Sequence, residues 1–331
     1  MAELHNTDVL VTGAGGFIGS HLCERLVADG VRVRALCRYT SRRDIGNLAD
    51  VDPKVLELID VHFGELTDAN FVAETMRGCA AVFHLGASIS VPYSYVAPRE
   101  TVQTNVIGTL NVLAAARETG VRGLVQMSSS EVYGTARYAP MDEAHPLGAQ
   151  SPYAASKVGA DKLAESFHMS YELPVVIARP FNTYGPRQSP RAVIGTVVRQ
   201  AVTGDEVRVG ATTPTRDFVF VKDTVDALVR LAAAAEELAG QTFNIATGVD
   251  VSVGDVIATV GELLGRDLTI ISDDERLRPE ASEVHRLIGD ATRLRDALGW
   301  TPATDLRAGL QEVIDWVRQR EASSSWVTYE I

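Results

Sequence analysis

The chain has 331 residues, 46% of them hydrophobic and 22% charged, a composition suited to one large globular core with a smaller second one. Its 31 Lys and Arg against 43 Asp and Glu give a net charge of −12, which argues against nonspecific binding to nucleic acid or an anionic membrane. No apolar run reaches the roughly 18 residues of a membrane span. Residues 1–7 lack the core of a signal peptide. Cys23, Cys37 and Cys79 form an odd, scattered set, so a cytoplasmic protein with reduced thiols and no metal site is expected.

Taken in chain order, the first half alternates short apolar runs with amphipathic stretches. Asp8–Thr12 reads as a buried strand, 16–29 as a helix and Arg32–Arg38 as a second strand. The strand signal recurs at 58–64, 81–85, 123–128 and 175–179, and the helical segments 69–77, 101–118 and 153–171 lie between. Such alternation predicts right-handed crossovers and a parallel sheet covered on both faces, the doubly wound Rossmann α/β fold.

After Arg179 the rhythm changes. A turn-rich loop over 179–187 leads to a helix at Val193–Thr203, a strand at 207–209 and an extended segment at 216–221. A helix at 224–237, a strand at 242–246 and amphipathic helices at Val253–Leu264 and 306–320 follow. The expected division is a dinucleotide-binding domain over 1–178, with 219–247 returning to it. A smaller α/β substrate domain is expected from 179–218 and 248–320, and 321–331 is left as a tail.

Gly13, Gly16 and Gly19 sit between the first strand and the first helix. That spacing gives a tight turn, a close backbone approach to a pyrophosphate, and close packing of helix on strand. Sites for NAD commonly place an acidic residue about 20 positions later, on the ribose 2′-hydroxyl. Here the second strand runs out through Arg38-Tyr39-Thr40-Ser41-Arg42-Arg43, without a carboxylate. Guanidinium groups suit a 2′-phosphate, so NADP is favoured over NAD, although Arg42 and Arg43 read equally well as a solvated loop. Asp68 suits either the adenine amino group or a helix N-cap.

Further along, Tyr153 and Lys157 lie one helical turn apart, after Ser128-Ser129-Ser130-Glu131. A lysine one turn away favours the phenolate form and is expected to lower the tyrosine pKa. The tyrosine then serves as a base toward a hydroxyl, and the nearby Glu131 carboxylate offers a second proton transfer.

These stretches resemble the extended short-chain dehydrogenase/reductase family, in particular its nucleotide-sugar epimerases and dehydratases, over the chain to about residue 320. The glycine loop, His84-Leu85-Gly86-Ala87, Asn105, Ser129 with Tyr153 and Lys157, the 179–187 loop and Arg216–Asp223 carry the resemblance. It implies a tightly bound, recycled NAD or NADP held by Gly13, Gly16, Phe17, Ile18, Gly19, Arg38, Ser41, Asp68, Leu85, Ala87, Asn105, Tyr153 and Lys157. It implies a nucleotide-activated hexose touching Ser88, Ser129, Ser130, Asn182, Arg187, Arg216 and Arg278. Relatives pair two helices across a dimer axis, so a homodimer is expected.

Within that family, Ser130-Glu131 is similar to the GDP-mannose 4,6-dehydratases. There one glutamate takes the sugar C5 proton and assists the leaving C6 hydroxyl. The stretches 178–189 and 275–284 are similar to dehydratases of the legionaminic-acid type, which act on nucleotide-activated N-acetylglucosamine. The expectation is a 4,6-dehydratase with Ser129, Glu131, Tyr153 and Lys157 as its catalytic set. A UDP-glucuronate decarboxylase, a 4-epimerase and a non-catalytic dinucleotide sensor stay open as alternatives.

Overall fold

A computed structural model of the chain describes residues 4–273 and 282–322. Seven parallel strands form the main sheet. Six lie before Phe181: β1 (Asp8–Thr12), β2 (Arg32–Arg38), β3 (Ile59–Gly64), β4 (Ala81–His84), β5 (Gly123–Met127) and β6 (Val175–Pro180). The small strands β7 (Asn182–Tyr184), β8 (Glu206–Val209), β9 (Thr215–Arg216) and β10 (Phe218–Phe220) follow. Then comes β11 (Thr242–Ile245), and the sheet order is β3-β2-β1-β4-β5-β6-β11. This is the doubly wound arrangement read from the sequence.

Alternation along β1 explains why both faces are covered. Val9 and Val11 enter one core with Leu22 and Leu26 of the helix Phe17–Ala28 and Leu228 of the helix Val221–Ala233. Leu10 enters the other, with Val72, Met76, Val112, Leu113 and Ala164 from the helices Ala69–Met76, Gly108–Thr119 and Pro152–Tyr171. A parallel sheet buried on both faces needs near-continuous apolar strands, and β4 and β5 are buried at every position.

Three expected elements need correction. The single helix over 101–118 is broken into Pro98–Val102, a π-helical turn at Gln103–Ile107 and Gly108–Thr119. The π turn carries the buried Asn105 and lies between the buried Thr101 and Thr109, three polar residues four apart that a surface helix would turn to water. The helix over 224–237 instead spans Val221–Ala233, beginning directly after β10. The extended segment 216–221 is split at Asp217. Thr215–Arg216 forms a three-stranded sheet with β12 (Val251–Ser252) and β14 (Arg286–Leu287), whereas β10 pairs with β7 outside the main sheet. A strand β13 (Thr269–Ser272) lies along β8. The last helix runs over Leu306–Ala322.

Candidate active site

The C-terminal ends of β1 and β4 part at the switch point of the sheet order, where an open α/β sheet leaves a crevice. Gly13 sits there at φ +70°, and a Cβ on it would stand 2.8 Å from the Gly86 backbone. The helix Phe17–Ala28 begins at Gly16 with no side-chain cap, so the amides of its first turn are available to an anion. Gly19 packs so tightly on the Gly13 carbonyl that a side chain would collide with it. Phe17 and Ile18 lie between those two glycines at the helix start. This loop fits a dinucleotide pyrophosphate.

Around the loop, Arg38 ends β2 with its side chain exposed, and Tyr39, Ser41, Arg42 and Arg43 continue that exposed rim. Asp68 caps the helix Ala69–Met76, its Oδ1 accepting from the Phe71 amide at 3.1 Å. Leu85 and Ala87 lie half-buried just past β4, where the Leu85 amide donates to the Thr12 carbonyl.

Asn105 is buried and hydrogen-bonded within the protein. Its oxygen accepts from the Ser88 amide at 2.7 Å, and its nitrogen donates to the Ser88 carbonyl and to Ser156 Oγ. Its amide is a strut between the end of β4 and the helix Pro152–Tyr171, and the π turn is what swings it inward. The Ser88 hydroxyl, expected at substrate, donates to Glu100 at 3.2 Å.

Beside this crevice the catalytic candidates converge. Ser151 caps the helix Pro152–Tyr171, which places Tyr153 in its first turn and Lys157 one turn on. Ser129 caps the short turn Ser130–Tyr133, accepting from the Glu131 amide at 3.2 Å, and it lies close enough to Tyr153 to favour its ionised form. Glu131 lies close enough to Tyr153 to oppose its ionisation. The buried Ser130 follows on the same turn.

The electrostatics correct one expectation. The Tyr153 hydroxyl is not lowered: burial, opposed in part by the nearby Ser129 hydroxyl, pushes it up to about 12. Lys157 is the group that moves down, to about 8, because burial penalises its charge and the Asp161 carboxylate only partly compensates. Its ammonium donates to the Met127 carbonyl at 2.6 Å, at the end of β5. His84, at the end of β4, is pushed down to about 3 by burial and then by the Lys157 charge.

Sequence reasoning missed a buried polar chain behind these residues. Asp161 Oδ2 accepts from both Nε and Nη2 of Arg179, at 3.1 and 3.0 Å, and from the Ser128 hydroxyl at 2.8 Å. Arg179 continues to the Tyr133 hydroxyl at 3.1 Å, and Tyr133 donates to Asn244 at 2.7 Å. The signal was available: Asp161 falls four residues after Lys157, on a helix side otherwise built from Ala154, Ala160 and Ala164.

The expected substrate residues separate. Arg216, on β9, pairs with Glu283 at 3.3 Å and donates to the Thr215 carbonyl. Asp217 beside it accepts from the Thr247 amide and hydroxyl, the Gly248 amide and the Gly289 amide. Asn182 begins β7 and donates its amide to the Asp217 carbonyl. Arg187 forms an ion pair with Glu24 at 2.9 Å that ties the 179–187 loop to the glycine-loop helix. Arg278 lies outside the described residues. A surface concavity of about 780 Å³ lies at the N-terminal ends of β5 and β6, around Val121, His168 and Pro174, and holds none of these groups.

Comparison with known proteins matches residues 10–313 to the family described as GDP-mannose 4,6 dehydratase. A UDP-glucose 4-epimerase of Mycolicibacterium smegmatis is 36% identical, with 94% of this chain and 98% of that protein covered. A dTDP-glucose 4,6-dehydratase of Streptomyces griseus is 33% identical, with 96% and 95% covered. Among solved structures, MoeE5 in complex with UDP-glucose and NAD superposes with a TM-score of 0.83 at 34% identity, covering 95% of this chain and 99% of that one. The dTDP-glucose 4,6-dehydratase DesIV of Streptomyces venezuelae, with NAD bound, gives 0.83 at 29% identity, covering 96% and 98%.

Proposed function

Because this chain belongs to the GDP-mannose 4,6 dehydratase family, we propose that it is an NAD(P)-dependent nucleotide-sugar 4,6-dehydratase. Its product is then a 4-keto-6-deoxy sugar nucleotide. The observation that carries this reading is the meeting of Tyr153, Ser129 and Glu131 at the crevice beside the glycine loop.

A hexose C5–H becomes acidic only once C4 is a ketone, so the proton transfers have an order. Ser129 holds the C4 hydroxyl, and Tyr153 takes its proton. A nicotinamide dinucleotide held at Gly13, Gly16 and Gly19 would supply the redox chemistry, as acceptor of the C4 hydride and its donor to C6. Glu131 then removes the C5 proton and, as the acid so formed, protonates the departing C6 hydroxyl. Each assisted proton transfer is worth roughly 10²–10⁴ in rate. Lys157, as an ammonium, favours the Tyr153 phenolate through charge. The elevated Tyr153 pKa makes that help necessary.

The finer readings rest on single features. The rim of Arg38, Ser41, Arg42 and Arg43 favours NADP. Arg216 and Arg278 are the candidates for the diphosphate, with Asn182 and Ser130 toward the sugar. Exposed Val102 and Ile107, on the Pro98–Thr119 helical run, favour pairing of two chains there. Among the described residues no helix is long and apolar enough to cross a membrane. A nucleotide-sugar substrate and three free, buried cysteines favour the cytoplasm.

The 36% identity to a UDP-glucose 4-epimerase favours a second reading, 4-epimerisation. Product mass decides between them with a panel of nucleotide sugars. Loss of water is the expected result, unchanged mass with every sugar marks an epimerase, and loss of carbon dioxide from a glucuronate marks a decarboxylase.

A further inference from the structure

We propose that Asp161 is a positioning residue that keeps the Lys157 ammonium charged and anchors the strand exit bearing Ser129 and Glu131. The inference deepens the dehydratase reading and rests on it.

The geometry is uneven in a way a simple structural pair does not require. Asp161 is fully buried, one turn beyond Lys157 on the same helix. An arginine and a carboxylate usually meet as a two-pronged fork, one nitrogen to each oxygen. Here both guanidinium nitrogens and the Ser128 hydroxyl converge on Oδ2. Among the described residues no donor reaches Oδ1, although it is shut off from solvent. A buried carboxylate oxygen without a donor is costly. It becomes intelligible if the remaining charge serves Lys157, whose burial the Asp161 charge offsets.

The surroundings make that compensation matter. Lys157 lies one turn from both Tyr153 and Asp161 on its own helix and donates to the Met127 carbonyl from β5. From β4 it meets His84, which is neutral and offers no counter-charge. Arg179, from β6, is held by Asp161 itself. Through Ser128 the same carboxylate grips the first residue after β5, and the Ser128 amide is fixed to the Ala178 carbonyl at 2.7 Å. The acceptor serine, the carboxylate base and the ammonium therefore share one buried anchor.

The chain holds four lysines, Lys54, Lys157, Lys162 and Lys222, and Lys157 alone is buried. Magnetic resonance of Cε-labelled lysine in the whole protein thus reads Lys157 directly, as the resonance titrating near 8. In Asp161→Asn the midpoint is expected to fall by about 1–3 pH units, the usual effect of removing an adjacent opposite charge. The alkaline limb of kcat/KM should move down with it. Asp161→Asn leaves Arg179 buried and unpaired, so Asp161→Asn/Arg179→Met serves if the single variant does not fold, and the same fall is expected there. Asp161→Glu should return the midpoint toward wild type. An unchanged Lys157 midpoint in Asp161→Asn or in the double variant, or loss of kcat with no movement of the limb, overturns the proposal. The lysine titration needs no turnover, so it stands apart from the product-mass test of the dehydratase reading.

Discussion

Thr12 and His84 are joined at 2.7 Å between the Thr12 hydroxyl and Nδ1, and the contacts on either side fix which atom carries the proton. Thr109 spends its own hydrogen on the Asn105 carbonyl, so at His84 Nε2, 3.0 Å away, it can only accept. Nε2 therefore bears the proton, and Nδ1 accepts from Thr12, whose oxygen in turn takes the Gly86 amide. The imidazole is neutral and polarised in one direction, from the glycine-loop strand toward the π turn.

That arrangement predicts an acid sensitivity. His84 titrates near 3 in the fold and near 6.5 when unfolded, so between those values the unfolded chain binds the extra proton. Stability from this group is complete above about 6.5 and is lost as pH falls toward 3, at about 1.4 kcal/mol for each pH unit of window. Urea midpoints at pH 7 and 4.5 should diverge less in His84→Gln than in wild type. Parallel losses in the two proteins would remove His84 as a cause.

Tyr153→Phe should abolish turnover and leave dinucleotide affinity nearly unchanged, because the proton acceptor is lost and the glycine loop is untouched. A fall in kcat of at least ~10²-fold is expected. Retention of more than about a tenth of the wild-type rate, well short of that loss, would show another base at work.

Glu131→Gln should separate oxidation from elimination. The amide keeps the shape of the side chain and cannot accept the C5 proton, so solvent deuterium should stop entering at C5 and water loss should cease. Oxidation at C4 should persist, seen as reduced nicotinamide on the enzyme. Near wild-type formation of the deoxy sugar would exclude Glu131 as the base.

Arg38→Ala should weaken NADP selectively, by about 1–3 kcal/mol if the guanidinium makes a charge-assisted bond to the 2′-phosphate. Calorimetric titration with both dinucleotides checks this. Equal affinity of wild type and variant for NADP would place the 2′-phosphate elsewhere on the rim.

Glu283→Gln should lower KM for the nucleotide sugar with little change in kcat. In the structure Arg216 is engaged by Glu283, and a diphosphate has to displace that carboxylate to reach the guanidinium. A KM equal to or above the wild-type value would show that Arg216 does not meet the diphosphate.

The strands were legible because parallel strands buried on both faces read as short apolar runs, and β1 and β2 fall where the runs do. The helices Val193–Thr203 and Val253–Leu264 were equally plain, since each presents one apolar side to the core that also takes Val9 and Val11. The break before Gly108 was not legible. Periodicity takes Thr101, Asn105 and Thr109 for a wetted face, whereas they are buried and satisfy backbone carbonyls, Ser88, Ser156 and His84. In the site, spacing along one helix or one turn brought out Tyr153, Lys157, Ser129 and Glu131. Partners distant in sequence stayed hidden: nothing near Arg187 announces Glu24, and nothing near Asp161 announces Arg179. The pKa of Tyr153 was misjudged for a related reason, because spacing reports the lysine charge and says nothing of burial.

The four hydrogen bonds on the Asp217 carboxylate also have a consequence in time. They gather Thr247, Gly248 and Gly289, the last 72 residues downstream. The main sheet has six of its seven strands by Pro180, so the glycine loop, Tyr153 and Glu131 are in hand while the ribosome is still far from Gly289. Arg216, the neighbour of Asp217, gains its full set of restraints only when that glycine emerges. In a growing chain, the glycine loop, Tyr153 and Glu131 are therefore made well before the last partner of Asp217.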